Sequence, residues 1–158
     1  IEVPAAVYQA RLLAKEADFM AVGSNDLTQY LLAVDRNNPR VADLYQEVHP
    51  AVISALREVA RAAHAEEKPL GICGELAGTP AGAILLMAMG YHVLSMNATH
   101  LLRVKWVIRN IKRSDARRML ARVLRMDTAE EVTAFLHKDM VRLGLSKVMP
   151  ARSTTQLH

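Results

Sequence analysis

The sequence is poor in several features that would assign it to a class at once. It has a single cysteine, so a disulfide framework is excluded and a reducing cytoplasm is expected. Aromatic residues make up only 4% of the chain. No apolar run approaches the roughly 18 residues that a membrane-spanning helix needs, and no signal-peptide pattern is present. Secreted disulfide-rich proteins and membrane-spanning proteins are therefore not expected.

What the chain contains is typical of a helix-rich globular domain. Its 158 residues, 51% of them apolar, suffice for one domain with a real core. The net charge of +4 is local, because nine Lys or Arg fall between Arg103 and Arg125 against the single acid Asp115. The chain opens at Ile1 in an extended apolar pattern without a Met, so we expect a piece of a longer protein.

Short apolar strands alternate with helical patterns over much of the chain. After the extended start at Ile1, a helix is predicted over residues 5–17. Buried strands are predicted at residues 18–22, 70–73 and 92–96, each followed by a helix, the first of which starts at Asp26. Four sequential strand–helix units imply parallel strands with right-handed crossovers. Such units would make half of an eight-stranded barrel, and an open doubly wound sheet is the structural alternative.

The pattern changes after the helix predicted at residues 98–111. Two amphipathic helices follow without a strand between them, and Thr128 and Glu131 form a capping box at the start of the second. The predicted parts are a half barrel, a helical hairpin packed on it and a mobile polar tail, at residues 1–113, 114–145 and 146–158 respectively.

Polar side chains follow the predicted strands at their carboxyl ends, where parallel α/β folds keep their active sites. These residues are Glu2, Asn25, Asp26, Cys73, Glu75, Ser95 and Asn97. Glu2 and Asp26 are carboxylates at neighbouring strand ends, an arrangement that holds Mg²⁺ when substrate oxygens complete the coordination. Each acid could instead only cap a helix start, and Asn25 could be an ordinary turn residue.

Two further residues have side chains suited to chemistry at the same edge. Cys73 lies between Gly71 and Gly74, so a ligand could approach closely and the thiol could donate a proton. A lone cysteine on an apolar strand is, however, more often an inert buried residue. The donor fork of Arg36, on the loop after the helix of Asp26, suits phosphate or carboxylate, with a solvated surface arginine as the alternative.

Other polar residues carry weaker signals. The basic stretch of residues 103–125 has no motif that reads nucleic acid and little aromatic interleaving, so nucleic-acid binding is not expected. A solvated helix face or an acidic protein partner explains it equally well. The histidines have no His or Cys neighbours at metal-binding spacing, and we assign them no ligand role.

Several short motifs, taken together, resemble a known family. They are Glu2-Val3-Pro4, the run from Gly23 to Tyr30, Asp35-Arg36 and Cys73-Gly74-Glu75. The combination resembles the phosphoenolpyruvate-utilising enzymes over residues 1 to about 113. Ser95-Met96-Asn97-Ala98 and Arg103 look more like Enzyme I of the phosphotransferase system than pyruvate phosphate dikinase. Residues 35–51 look like the nitrogen-related branch of Enzyme I.

The resemblance implies a (β/α)₈ barrel that binds phosphoenolpyruvate and Mg²⁺ and dimerises through this domain. Phosphate would pass to a His of a separate N-terminal domain and then to a phosphocarrier protein. Glu2 and Asp26 would be the Mg²⁺ ligands, and Asn25 would hold the substrate carboxylate. Arg36 would hold the phosphate, and Cys73 would protonate the enolate carbon as pyruvate forms.

The sequence also departs from the family pattern. The phosphorylated His, the Arg cluster of the earlier barrel strands, and the Gly and Met that precede Ile1 in the family have no counterpart here. We therefore expect that the chain alone does not turn over. Two other readings stay open, namely the dikinase or synthase version of this chemistry and a non-catalytic dimerisation or interaction module built on the basic helices.

Overall fold

The computed structural model describes residues 1–148, in which helices connect the strands of a small parallel sheet. The strands are β1 (Met20–Gly23), β2 (Leu70–Cys73) and β3 (Val93–Ser95). The helices within the described residues are α1 (Pro4–Tyr8), α2 (Ala10–Glu16), α3 (Ser24–Leu32), α4 (Pro50–Ala65), α5 (Glu75–Gly78), α6 (Pro80–Met89), α7 (Ala98–Asn110), α8 (Arg113–Val123) and α9 (Ala129–Arg142). Single 3₁₀ turns lie at Ala42–Leu44 and Ser146–Val148.

The three strands pair in sequential order, with β2 in the middle. Gly23, Cys73 and Ser95 are direct partners across the sheet, so the carboxyl ends of all three strands meet at one edge. This parallel arrangement confirms the α/β class that the alternation of strands and helices predicts. It also gathers the polar residues that follow each strand.

The first residue extends the sheet beyond β1. The ammonium group of Ile1 donates to the carbonyl of Ala21 at 2.6 Å, and the N–H of Gly23 donates to the carbonyl of Ile1 at 3.0 Å. These two bonds form a parallel ladder with Val22 as the opposing residue. The extended segment predicted at the start thus contributes one ladder position, because α1 already begins at Pro4.

Apolar side chains from the helices and the sheet form one core cluster. The apolar stripe of α4 is buried, and α6 is buried over most of its surface because it packs against α7 and α8. Fully burying a leucine contributes about 1.5–3 kcal/mol, so α6 is a major source of stability. None of the helices in residues 1–148 has the length and hydropathy that crossing a membrane requires.

Three local expectations need correction. The helix predicted over residues 5–17 is interrupted at Gln9, whose ψ of 6° leaves the helical range. The helix predicted from Asp26 begins earlier, at Ser24, because the Ser24 hydroxyl donates to the carbonyl of Cys73 and anchors the helix to β2. Of the predicted mobile tail, residues 146–148 form a 3₁₀ turn, and residues 149–158 lie outside the described part.

Candidate functional site

An open cleft of about 510 Å³ lies at the carboxyl edge of the sheet. Its lining comes from the segments that follow β1, β2 and β3, together with the loop before α4. The lining residues are Asn25, Glu47, Cys73, Gly74, Glu75, Gly78, Thr79, Ser95, Met96, Asn97 and His100. Five of the seven strand-end residues singled out in the sequence therefore share this cleft, and Glu2 and Asp26 lie outside its lining.

The side chain of Glu2 lies over the end of β1, in the space that is open because Gly23 has no side chain. A Cβ atom at Gly23 would lie 2.5 Å from Oε1 and 2.7 Å from Cγ of Glu2. Such distances are too short for any real side chain, so Gly23 is what lets the exposed Glu2 reach this position. The fold thus places the Glu2 carboxylate against β1, next to the start of α3.

Asn25 is fixed by contacts on both its side chain and its backbone. Its Oδ1 atom accepts a hydrogen bond from the N–H of Glu75 at 3.0 Å, and its carbonyl accepts one from the Tyr45 hydroxyl at 3.3 Å. Because Oδ1 is occupied, the side chain has its amide NH₂ group left to offer a ligand. The neighbouring Ser24 reinforces the junction, since its hydroxyl donates to the carbonyl of Cys73 at 3.0 Å.

Asp26 and Arg36 lie close together. Nη2 of Arg36 lies 3.7 Å from Oδ1 of Asp26, and the two side chains are 36% and 42% exposed. The N–H of Arg36 donates to Oε1 of Gln29 at 3.3 Å, which holds the loop against α3. A long ion pair between half-exposed groups contributes little stability, so both residues can exchange this contact for a ligand.

Cys73 is exposed at the end of β2, so it is not the buried residue that the alternative assumes. Its Sγ atom donates a weak hydrogen bond to the carbonyl of Val22, 3.6 Å away. The next residue, Gly74, has a φ of +128°, and a Cβ there would overlap the Ser24 hydroxyl. A glycine is therefore required beside the thiol, and the cleft stays open at this point.

Glu47 is a charged residue of the cleft that the sequence analysis did not single out. Glu47 lines both this cleft and a second, mainly apolar cleft of about 500 Å³ between the loop before α4, the start of α6 and α9. Burial, and secondarily the charge of Glu75, raises the pKa of Glu47 to about 7. Its Oε1 atom is buried and has no hydrogen-bond partner within the described residues. No periodic pattern could mark Glu47, because it lies in an irregular loop.

The carboxylate oxygens at this edge are the kind of ligand that suits a hard cation. Glu2 and Asp26 supply carboxylate oxygens, the type of ligand that Mg²⁺ prefers, and Mg²⁺ commonly takes only one or two carboxylates and keeps water or phosphate oxygens. The Glu2 side chain occupies the space over Gly23 that a Cβ would fill, which places its carboxylate at this edge. A complete protein-only site is absent from residues 1–148, where no three His, Cys, Asp or Glu side chains are grouped for a metal.

Comparison with known proteins bears on what this edge binds. Residues 1–113 match the family model described as the PEP-binding domain of PEP-utilising enzymes. A phosphoenolpyruvate-protein phosphotransferase of Haemophilus influenzae is 41% identical over 146 residues, which cover 92% of this chain and 25% of that protein. A protein of Escherichia coli called phosphoenolpyruvate-dependent phosphotransferase system is 43% identical over 145 residues, covering 92% of this chain and 19% of its own length.

A phosphoenolpyruvate-protein phosphotransferase of Geobacillus stearothermophilus is similar as well. It is 43% identical over 138 residues, which cover 87% of this chain and 24% of that protein. The chain thus spans a quarter or less of the length of these curated relatives. The resemblance that the short motifs carry is confirmed by the comparisons.

Proposed function

The chain belongs to the PEP-utilising enzyme family as its PEP-binding domain, and we propose that it forms part of the substrate site of a phosphoenolpyruvate–protein phosphotransferase. The observation that carries the proposal is the position of Asn25 and Cys73 in one cleft. Asp26 follows Asn25 in the first turn of α3, and the side chain of Arg36 reaches it from the loop after that helix. In the whole protein, phosphate would pass from phosphoenolpyruvate to a His of an N-terminal domain and then to a phosphocarrier protein. A cytoplasmic homodimer of the nitrogen-related branch is the proposed working form.

Asn25 and Arg36 would bind the substrate. The free amide NH₂ group of Asn25 is suited to the substrate carboxylate, because the oxygen of the same side chain is held by Glu75. Arg36 would leave its 3.7 Å contact with Asp26 and present its donor fork to the phosphate. Phosphoryl transfer depends mostly on such positioning and charge neutralisation.

Glu2 and Asp26 would hold the Mg²⁺ ion, which neutralises charge on the phosphate oxygens when it is bound. Glu2 reaches over Gly23 for this purpose, and Asp26 lies in the first turn of α3. The contact between Asp26 and Arg36 would keep the carboxylate oriented before the ion binds. Two carboxylates alone give weak binding, so the ion and the substrate would enter together.

Cys73 would supply the proton that completes pyruvate. As the bond between phosphorus and the bridging oxygen breaks, the phosphoryl group moves to the acceptor His and the electron pair stays on the enolate. The methylene carbon of the enolate then takes the proton of the Cys73 thiol, and solvent returns a proton to the thiolate. The exposure of Cys73 at the cleft supports both steps.

We also propose that the sheet is half of a (β/α)₈ barrel. Ile1, which pairs with β1, and the strands β1, β2 and β3 lie side by side and parallel in the order of the sequence. This arrangement supports the proposal. Further strands would pair beyond Ile1 and β3 and would bring the Arg cluster that the chain itself lacks. For this reason the isolated chain is expected to be inactive.

The test is phosphoenzyme formation from phosphoenolpyruvate labelled at phosphorus. The full-length protein should become labelled on a His, and the 158-residue chain alone should not. In the full-length protein, Cys73→Ala should lower the rate of pyruvate formation by about 10²–10⁴-fold while phosphoenolpyruvate still binds. Stoichiometric phospho-His on the isolated chain, or undiminished pyruvate formation in Cys73→Ala, would contradict the proposal.

Acceptor specificity separates this proposal from the dikinase or synthase version of the chemistry. The proposed protein transfers phosphate to a phosphocarrier protein, whereas a dikinase or synthase passes it to a nucleotide. The alternative function as an interaction module would need the arginines of α8 to be available for an acidic partner. Arg118 is paired with Asp115 and Asp139, and Arg122 lies 5.2 Å from the ring centre of Phe135, so two of its arginines already have partners in the fold.

A further inference from the structure

Glu47 forms part of the wall between two clefts. On one side is the cleft with Asn25 and Cys73, and on the other is the apolar cleft against α9. Oε1 of Glu47 is buried without a hydrogen-bond partner in the described part of the chain. A carboxylate in such a place is costly unless it is protonated, paired or turned towards water.

Glu47 is also close to both groups that hold Asn25. Tyr45, two residues before Glu47, donates its hydroxyl to the carbonyl of Asn25 at 3.3 Å. Glu75, which shares both cleft walls with Glu47, donates its backbone N–H to Oδ1 of Asn25 at 3.0 Å. Asn25 is thus held from two sides, by two residues whose side chains interact electrostatically with Glu47.

The electrostatic surroundings of Glu47 offer little to balance a negative charge. Glu75 on α5 faces it with the same charge, which together with burial raises the pKa of Glu47 to about 7. Burial, and then the charge of Glu47, raises the pKa of Tyr45. The other titratable groups around the two clefts are Cys73, His100 and His137, and the side chain of Arg36 interacts with that of Tyr45.

We propose that Glu47 is a proton-linked positioning residue of the substrate cleft. When Glu47 is protonated, it packs beside Glu75 without repulsion. The hydrogen bonds from the Tyr45 hydroxyl and the Glu75 N–H to Asn25 are then both intact. When the proton leaves to solvent, the new charge repels Glu75 and draws the Glu47 side chain out of the wall towards water. The loop with Tyr45 and the turn with Glu75 then move apart, and Asn25 loses its fixed orientation.

The consequence for ligand binding has a definite sign. Because the protonated form preserves the site, the cleft should be best ordered below pH 7 and should loosen as the pH rises through about 7. The inference that this affects phosphoenolpyruvate rests on the proposed function, in which Asn25 holds the substrate carboxylate. The coupling between Glu47 and Asn25 itself does not depend on that function.

The coupling is tested by nuclear magnetic resonance on the ¹⁵N-labelled 158-residue chain. Between pH 5.5 and 8.5, the signals of the Glu75 backbone amide and the Asn25 side-chain amide should shift together with a midpoint near 7. In Glu47→Gln both signals should stay at their low-pH positions. In Glu75→Gln the midpoint should fall, because the like charge is gone.

Controls identify the titrating group. Glu58→Gln, on the exposed face of α4 where Glu58 pairs with Arg61, should leave the wild-type shifts unchanged. The shifts should also persist in His100→Gln and His137→Gln, which change the two histidines that line the clefts. Shifts that persist in Glu47→Gln, or that vanish in either histidine variant, would overturn the proposal.

A binding measurement in the full-length protein extends the test to the site. The ratio of the phosphoenolpyruvate dissociation constants of the wild type and Glu47→Gln should rise on the order of tenfold between pH 6 and pH 8.5. The ratio cancels the titration of the ligand's own phosphate. A constant ratio would refute the effect on binding. Absence of binding at every pH would refute the proposed function, and the amide shifts would still decide the coupling.

Discussion

The Oδ1 atom of Asn25 accepts a hydrogen bond from the backbone N–H of Glu75 at 3.0 Å and so joins two strand ends that are 50 positions apart in the sequence. The bond from the Ser24 hydroxyl to the carbonyl of Cys73 joins the same two ends. The residues proposed to meet the substrate are therefore oriented by contacts between strands. Changes at this junction should disturb the site more than the core.

The first prediction concerns Gly74. A Cβ there would overlap the Ser24 hydroxyl and lie 2.8 Å from Oδ1 of Asn25, at a φ of +128°. Gly144 also has a positive φ, +73°, but no atom lies within 4 Å of its Cβ position. Gly144→Ala should cost about 1 kcal/mol from backbone conformation alone. Gly74→Ala should cost about 3 kcal/mol, because its φ of +128° and ψ of 175° suit glycine alone and the steric overlap adds to that strain. Urea unfolding of both variants measures the difference, and equal losses would contradict the described junction.

A second prediction concerns the space over β1. In Gly23→Ala the new methyl group should displace the Glu2 side chain, because it would stand 2.5 Å from Oε1. Mg²⁺ affinity of the full-length protein with phosphoenolpyruvate should fall about 10–100-fold, the range found when the support of a metal ligand is lost. Gly71→Ala is the matched control, since its Cβ would meet Val93 at an ordinary 3.6 Å. Calorimetric titration that gives wild-type affinity for Gly23→Ala would remove Glu2 from the proposed ligands.

The third prediction compares two arginines of one loop. Arg36→Lys keeps the charge but removes the planar donor fork, so kcat/KM for phosphoenolpyruvate should fall about tenfold or more. Arg40→Lys should leave it unchanged, because the structural contact of Arg40 is the bond from its backbone N–H to Oδ1 of Asn38 at 3.1 Å. Steady-state kinetics of the full-length protein measure both. Similar losses in the two variants would point to a general charge effect and against a phosphate contact at Arg36.

A fourth prediction concerns acid stability. Asp139 accepts hydrogen bonds from Nε of Arg142 at 2.8 Å and from Nη2 of Arg118 at 3.2 Å, and these arginines, Arg142 first, hold its pKa below the usual 3.8. A lowered carboxyl pKa adds stability that is complete above the unfolded value and is lost as the pH falls through the folded value. Asp139→Asn should therefore cost about 2 kcal/mol at pH 7 and much less near pH 2.

The control for this prediction is Asp115→Asn. Asp115 accepts from Arg118 at 2.8 Å within one helix turn, and such surface pairs contribute about 0.3–0.5 kcal/mol. Denaturant unfolding of both variants at the two pH values measures the effect. If Asp139→Asn lost as much stability in acid as at neutral pH, the ion pairs with Arg118 and Arg142 would not be its cause.

Features encoded by neighbouring residues were predictable from the sequence. The strand predicted at residues 70–73 is observed with the same bounds. Caps were also predictable, because the acceptor and the donor lie within three residues of each other. Oγ1 of Thr79 accepts from the N–H of Gly82, Oδ1 of Asn97 from the N–H of Thr99, and Oγ1 of Thr128 from the N–H of Glu131. The motifs around Asn25 and Cys73 led to the family for the same reason.

Features that depend on distant contacts were not predictable. The start of α3 at Ser24 is set by a hydrogen bond to Cys73, 49 positions away. The importance of Glu47 arises from Glu75 and from the two clefts that it separates, neither of which a local pattern reveals. The roles of Glu2, Asn25, Asp26, Arg36 and Cys73 remain predictions, because they depend on a ligand as well as on the fold.

The central position of β2 has a consequence for local opening. Amides of a strand with neighbours on both sides exchange with solvent only when a larger unit unfolds, whereas β3, an edge strand in the 158-residue chain, can fray by itself. Cys73 ends the central strand and pairs with Gly23 of β1. Cys73 should therefore stay paired with Gly23 when the end of β3 at Ser95 frays. The proposed proton donor thus lies on a strand that is paired on both sides. Amide hydrogen exchange at Cys73 should therefore have the free energy of global unfolding.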